Sequence, residues 1–451
     1  MAKKKQIELT IEEKLQNALV PKEEQPYKIP NNWCWTYFKD IFYIENGYAF
    51  KKIDYKKEGI PLVRISNIEN GIVNINECIY VNKLEKNEEK YVIEKGDLLI
   101  ALSGATTGKN GVYYLDEIAY LNQRIGNIKI KNKEKVLNEY RNYYIALKNE
   151  DILNLAYGGA QPNISPKVIE FISIPLPPIK EQQRIVNRIE SLFAKLDRAK
   201  ELIENTLAQF EQNKMAILHK AFTGELTAKW RKENNIDLSS WEKIKLGKVL
   251  LPMQTKKPTG QFFRYIDIDA IDNKRQIVKA PKLILTEKAP SRASRGVETG
   301  NILFSMVRPY LKNIAQIDSD LSDCIASTGF YVCRCKPELN SRFLYYLFIF
   351  DKTIDYLMQF MKGDNSPSIR KDDLLNMKID LPTIEEQQEI VNILDNLLAK
   401  YNKIKNLEQQ LEKIELLKKA ILAKAFRGEL GTNNPDEESA ENLLKEILAE
   451  K

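Results

Sequence analysis

The chain has 451 residues, 43% of them hydrophobic, and carries 69 Lys and Arg against 62 Asp and Glu for a net charge of +7. That length predicts two or three domains, and no apolar run approaches the ~18 residues of a membrane span, so the sequence reads as soluble. A balance this mild permits nucleic-acid binding through local basic patches without demanding it, and five scattered cysteines read as reduced thiols rather than a disulfide framework.

The opening "MAKKKQIELT" has the basic start of a signal peptide but no apolar stretch after it, which predicts a cytoplasmic chain. Within this arm (1–26), "TIEEKLQNAL" predicts a short capped helix with a stripe of Ile11, Leu15 and Leu19. From Trp33 onward, alternating runs such as "IPLVRISNI" and "GDLLIALSG" among Gly, Asn and Asp turns predict β-rich structure. The tyrosine-rich stretch near Tyr140 predicts a helix with its rings facing a core. Pro177 and Pro178 then close a strand, and "EQQRIVNRI" from Glu181 opens a long helix. Its apolar positions Ile185, Ile189, Leu192, Leu196, Ala199 and Ile203 alternate steps of four and three, a coiled-coil seam. At ~1.5 Å per residue the helix to Phe222 makes a rod of roughly 60 Å.

The order then repeats. "WEKIKLGKV" from Trp241 echoes "WCWTYFKDI" from Trp33, "GNILFSMVR" echoes "GDLLIALSG", and "LNSRFLYYLFI" from Leu339 faces "LNEYRNYYIAL" from Leu137. "KGDNSPSIR" faces "GGAQPNIS", "IDLPTI" faces "IPLPPI", and "EQQEIVNIL" from Glu386 opens a second seam of Ile390, Leu394, Leu397, Tyr401 and Ile404. "AFTGEL" and "AFRGEL" close the two helices, with Gly224 and Gly428 as stops. The second seam steps from Ile404 to Leu407 to Leu411, which predicts a local stammer. The fold predicted is α+β: two β-rich globular domains in pseudo-two-fold repeat, separated by two long antiparallel coiled-coil helices. The boundaries read as domain 1 at 27–174, first helix 175–231, domain 2 at 232–379, second helix 380–430 and an acidic tail, 431–451, without an obvious core.

Catalytic signatures are missing. The single histidine, His219, lies late in the first helix, which excludes a histidine cluster. "GATTGKN" at Gly104 has three residues rather than four between its glycines and Asn110 where a magnesium-binding hydroxyl belongs, so it is no phosphate loop. Cys333 and Cys335 share one face of a strand and are carried as structural thiols, with no metal.

The domains offer polar loops instead, rich in side chains that pair with base edges and phosphates. In the first, the candidates are Arg64, then Ser103, Thr106, Thr107 and Lys109 of "SGATTGKN", Asn122, Gln123 and Arg124 of "LNQR", and Gln161 and Asn163 of "GGAQPN". In the second they are Arg275, Arg292 and Arg295 of "SRASR", Arg308, Tyr310 and Lys312 of "VRPYLKN", Thr328 of "AST", and Asn365, Ser368 and Arg370 of "GDNSPSIR". Two differing readers on one repeated frame is the simplest account. The alternative is a structural adapter whose domains bind peptides.

The duplicated "LPxIxEQQxIV", the long helices, the "AFxGEL" ends, the "VRPYLKN" and "ASTGF" pair and the tail from Gly428 together resemble the specificity subunit of Type I restriction-modification enzymes, over nearly the full length. The resemblance implies a non-catalytic subunit in which two target-recognition domains read an interrupted double-stranded DNA sequence and the helices set the spacer. It implies two methyltransferase subunits that bind S-adenosylmethionine and methylate adenine N6, and restriction subunits using ATP and Mg. This chain itself would bind no cofactor. Gln182, Gln183, Arg184, Arg188, Gln387 and Gln388, taken to lie on the outer helix faces, become candidates for partner docking.

Overall fold

The computed structural model describes residues 9–85, 88–104, 106–156, 163–402 and 405–450. The chain divides into two compact units: Met1–Glu201 with Gln410–Lys451, and Leu202–Gln409. Each unit therefore joins one globular part to portions of both long helices.

The two units share one strand plan. In the first, Ile125–Ile130 lies antiparallel between Phe42–Asn46 and Leu98–Ala101, and Leu98–Ala101 continues to Asn110–Val112. In the second, Phe330–Cys335 lies between Leu250–Leu251 and Ile302–Ser305, which continues to Ile314–Gln316. A further sheet in each unit contains one parallel pair, Ile60–Val63 with Ala119–Leu121 and Phe262–Ile266 with Ile325–Ser327. Side-chain alternation splits these strands between two cores. Val63 and Leu121 face Ile93 and Leu99, whereas Leu62 and Tyr120 face Phe50 and Val81. Ile266 and Ala326 divide from Tyr265 and Ile325 in the same way.

The tyrosine-rich helices, Asn138–Ala156 and Ser341–Ile349, are core elements. Tyr140 donates its hydroxyl to the Pro175 carbonyl at 2.5 Å, and Tyr144 donates to that of Ser173. Burial pushes both phenols well above their ordinary range. The structural match differs by one residue from the facing read in sequence. Tyr140 packs on Phe426 at 5.0 Å between ring centroids, and its counterpart on Phe222 is Phe343 at 5.4 Å, not Arg342. Packing against the aromatic of each "AF" motif sets the register, and the shared "LN" dipeptide does not.

The first long helix spans Ile179–Phe222; the second is described over Ile384–Asn402 and Lys405–Phe426. They pair antiparallel within each unit. In the first unit Asp197 meets Lys418 at 2.5 Å and Lys200 meets Glu415 at 3.3 Å, so one helix ascends as the other descends. Ile185 and Ile189 are fully buried in a cluster with Leu422, Ala425 and Phe426. In the second unit Leu218 and Ala221 share a core with Ile390, Val391 and Leu394. The seam is driest beside the globular parts, and Leu192, Leu196, Ala199, Ile203 and Leu397 are half-buried. The side chains of Tyr401 and Ile404, and the stammer predicted there, lie outside the described residues.

The repeated words of the sequence meet where helix ends converge. In the second unit the buried Glu386 carboxylate, at the start of the second long helix, accepts from Thr227 Oγ1 at 2.6 Å, Trp241 Nε1 at 2.9 Å and the Arg231 guanidinium. Thr227 and Arg231 follow the end of the first long helix. In the first unit the roles exchange: buried Glu181, at the start of the first helix, accepts from Thr432 Oγ1 at 2.6 Å beyond the end of the second, and from Arg184. Gly224 and Gly428 make these turns with φ of 80° and 73°. A Cβ there would stand 2.5 Å from Leu238 and 2.4 Å from Pro30, so only glycine fits.

Gln182 and Gln387 overturn their assignment to an outer face. Both are fully buried. Gln182 accepts from Leu137 N at 3.1 Å and donates to the carbonyls of Lys135 and Pro177; Gln387 accepts from Asn340 N at 2.8 Å and donates to those of Glu338 and Pro382. Each amide thus satisfies three backbone groups where helix and globular part join.

The tail is likewise no loose appendage. Ala440–Ala449 forms a helix whose Ala440, Leu444 and Ile447 enter the core of the first unit with Leu15 and Ala18 of the N-terminal helix Ile11–Ala18. The three apolar residues fall at i, i+4 and i+7, one helical face that the acidic composition of the segment conceals.

Replacing either glutamine by Ala (Gln182→Ala or Gln387→Ala) removes the partner of one N–H and two carbonyls, one of them in a buried bond. We expect a loss of about 1–3 kcal/mol in each case, read as a lower urea midpoint, with a smaller loss for exposed Gln183→Ala.

Candidate nucleic-acid interface

In the first unit three candidate loops converge on Leu102. Its amide donates to the Arg124 carbonyl at 3.0 Å and its carbonyl accepts from Ile164 N at 2.8 Å. Ser103 forms an isolated bridge with Asn163. "SGATTGKN", "LNQR" and the end of "GGAQPN" therefore lie side by side, and Arg64 joins them because Asn122 N donates to the Val63 carbonyl at 3.2 Å. The second unit repeats the pattern about Met306, which donates to the Gly329 carbonyl at 2.9 Å and accepts from Ile369 N at 3.0 Å, while Val307 bridges Ser368. "VRPYLKN", "ASTG" and "NSPSIR" thus adjoin, and Arg292 joins through Thr328 N at 2.9 Å from its carbonyl. Arg295 lies opposite Ala326 on the neighbouring strand.

Lys312 apart, the cations of these clusters have no carboxylate partner among the described residues. Among the described residues, Arg64, Lys109, Arg124, Arg292, Arg295, Arg308 and Arg370 form no salt bridge with a carboxylate, and Arg64 Nε and Arg295 Nε have no hydrogen-bond partner. Elsewhere on the surface Arg264 pairs with Asp323 at 2.8 Å and Lys282 with Asp267 at 2.5 Å. Guanidinium groups without a carboxylate partner, gathered on and beside these loops, form a site suited to anions and base edges.

Several predicted residues are spent otherwise. Thr107 is buried and donates to the Gly104 carbonyl at 2.6 Å, so its hydroxyl shapes the loop rather than facing outward. Lys312 Nζ is held by the Ile349 carbonyl at 3.1 Å and by Asp351. Arg275 sits on the hairpin between Ile271–Asp272 and Ile277–Val278, 3.7 Å from Asp272, where the next residue accepts from Tyr345 Oη, apart from the three loops. Gln161 lies outside the described residues. Thr106, Gln123, Arg124, Asn163, Thr328, Asn365 and Arg370 are exposed at the clusters, with Ser103, Lys109, Asn122 and Ser368 half-buried among them. Tyr310 is 42% exposed at the tip of a turn bracketed by Arg308 and Lys312, whose φ values of 47° and 50° are rare for residues with a Cβ. Arg308 is anchored by its amide to the Pro367 carbonyl at 2.8 Å and by Nη2 to that of Asn365 at 2.9 Å.

Two neighbours of the clusters escaped the sequence reading. Tyr48, 39% exposed, exchanges backbone bonds with Leu121 and Gln123. Lys256, exposed, donates its amide to the Ser294 carbonyl at 3.1 Å and is followed by Lys257. The doublet in "TKKPTG", a Pro and Gly turn, was the signal available.

Of the six helix residues assigned to partners, Gln183, Arg188 and Gln388 are exposed. Arg184 is engaged internally, binding Glu437 through both Nη atoms at 2.8 Å and the Thr432 carbonyl at 2.8 Å. Hydrogen bonding to Glu437 and Glu181 raises its basicity, and the same contact lowers Glu437 below the usual carboxylate range. Among the described residues no cluster of three metal-binding side chains occurs.

Residues 30–209 and 241–416 match the family described as the Type I restriction modification DNA specificity domain. The chain belongs to that family. It is 27% identical to the specificity subunit of the Type I restriction enzyme EcoBI from Escherichia coli, over 94% of this chain and 93% of that one. It is 25% identical to the EcoKI specificity subunit of Escherichia coli strain K12, over 94% and 96%. A chain from a solved structure of the type I R-M system superposes with a TM-score of 0.68 at 21% identity, over 90% of this chain and 100% of that one, a likeness of fold. The role is DNA sequence specificity, and the adapter alternative is not favoured. No helix among the described residues is long and apolar enough to cross a membrane.

Glycine suits the conformation of Arg308, so Arg308→Gly removes a guanidinium without new backbone strain. Stability should stay within about 1 kcal/mol. The logarithmic salt dependence of DNA binding by the assembled complex, followed by fluorescence anisotropy, should flatten by about one unit of slope if one phosphate contact is lost.

Proposed function

We propose that each three-loop cluster reads one half of an interrupted duplex DNA sequence, and that the paired long helices set the unread spacer between the halves. On this reading Arg64, Lys109, Asn122, Gln123, Arg124 and Asn163 address one half-site, and Arg292, Arg295, Arg308, Tyr310, Asn365 and Arg370 the other. Guanidinium groups bond guanine edges or phosphates, and amides pair with adenine. The chain supplies no catalysis. It directs methyltransferase subunits, which bring S-adenosylmethionine to adenine N6, and ATP- and Mg-dependent restriction subunits. Gln183, Arg188 and Gln388 are positions where such subunits can dock.

The observation that carries this reading is the repeat itself. Two units place three loops each at the same three points of the same strand plan, the connecting backbone bonds match, and the side chains differ. A frame kept constant under varied, uncompensated cations is what two distinct sequence readers need.

The test is to co-express the chain with its modification subunit and map methylated adenines genome-wide. Replacing 103–109 and Arg64 should alter one half of the methylated motif and leave the other half and the spacer intact. An unchanged motif, or both halves changed together, sinks the assignment.

A further inference from the structure

The repeat exposes a place that is filled in one unit and open in the other. In the first unit the C-terminal helix Ala440–Ala449 packs on the helices Ile11–Ala18 and Phe38–Ile41, beside the start of the Cys34–Tyr37 strand. Ala440 N donates to the Asn32 carbonyl at 2.9 Å, Glu446 pairs with Lys135, and Asn132 donates to Glu450 at 2.5 Å. Cys34, Val136, Leu176 and the apolar stripe of this helix form one core.

The equivalent positions in the second unit follow from two independent matches. Cys34 opposes Leu176 in its ladder as Glu242 opposes Leu381, and Ser240 therefore takes the place of Asn32. The buried glutamines donate to the carbonyls of Lys135 and Glu338, which pairs those two residues. At this place the second unit has an open groove of about 390 Å³, lined by Ser240, Glu242, Pro337, Glu338, Pro382 and Ile384. Ile384 is 39% exposed on its wall, and Ser240 Oγ is shielded from solvent without a hydrogen-bond partner.

The rims carry opposite charge. Where Lys135 grips an acidic helix, Glu338 stands, and where Cys34 is buried, Glu242 stands exposed. Lys243, the cation next along the strand, points to the other side and approaches Asp380 at 3.8 Å. An acidic helix like the chain's own would be repelled; a basic one would be attracted.

We infer that this groove of the second unit is the docking site for a short amphipathic helix with a Lys or Arg edge, contributed by a modification subunit. The apolar stripe of that helix covers Pro337 and Ile384, and its cations meet Glu242 and Glu338. The partner's identity rests on the function proposed above; the groove, its charge and the helical shape of its occupant do not.

The test is titration of the full chain with purified modification subunit at low salt, comparing wild type with Glu242→Lys/Glu338→Lys. Both residues are exposed, so the melting temperature should be unchanged while the dissociation constant rises roughly tenfold or more. In parallel, a photo-crosslinking amino acid in place of Ile384 in the otherwise wild-type chain should capture a Lys- or Arg-bearing helix of that subunit, mapped by mass spectrometry. A dissociation constant equal to wild type, or a cross-link that falls on an acidic segment, on DNA or on a second copy of this chain, overturns the inference. No complex with the wild-type chain would instead overturn the proposed function.

Discussion

A buried carboxylate at the start of each long helix is the constraint on which the architecture turns. Glu181 and Glu386 are both inaccessible to water, and an isolated ionised carboxylate in such a place is unstable. Each takes donors from beyond the end of the other helix, Thr432 for Glu181 and Thr227 with Arg231 for Glu386, and Glu181 is also bound by Arg184 of its own helix. Each carboxylate site thus draws at least one donor from beyond the end of the other helix. These sites fix the end of one helix against the start of the other, in keeping with the antiparallel seam, and the glycines let the chain turn back there.

The same junction separates what is kept from what varies. The glutamine beside each carboxylate stitches the helix start to the backbone of its globular part, and the aromatic of each "AF" motif packs on the tyrosine-bearing helix of the same unit. These contacts tie the strand plan to the helices in the same manner twice. The loops about Leu102 and Met306 are remote from those contacts in sequence, are joined to their frames by backbone bonds alone at the crossing points, and are free to carry different side chains. A DNA-specificity subunit needs this separation, because its stability must not depend on which bases it reads.

Asymmetry enters where the chain's ends are used. The first unit gathers the helices Ile11–Ala18 and Ala440–Ala449 around Cys34 and Lys135, and among the described residues the second has no such cover over Glu242 and Glu338. The repeat is thus equal in its frame and unequal on one flank, which distinguishes the two halves of an otherwise matched pair for anything that docks there.

The duplication, the helical seams, the strand-rich globular parts and the family were legible in the sequence, because periodicity and repeated motifs report local geometry directly. Of the candidate site, the loops were legible as groups: their Gly, Ser and Asn content marks turns, and their copies fall at matched places. What the tertiary structure alone decided was the fate of single side chains. Gln182 and Gln387 look like exposed helix residues but face backbone groups more than forty residues away in the chain; Thr107 looks like a reader but closes its own loop, and Lys312 is held by Ile349 and Asp351. The tail reads as acidic and coreless, yet three of its residues complete a core built by distant segments. The physical reason is common to all of these: burial and hydrogen-bond partnership are set by contacts between segments far apart in the chain, and a spacing pattern records which residues share a face without recording what that face meets.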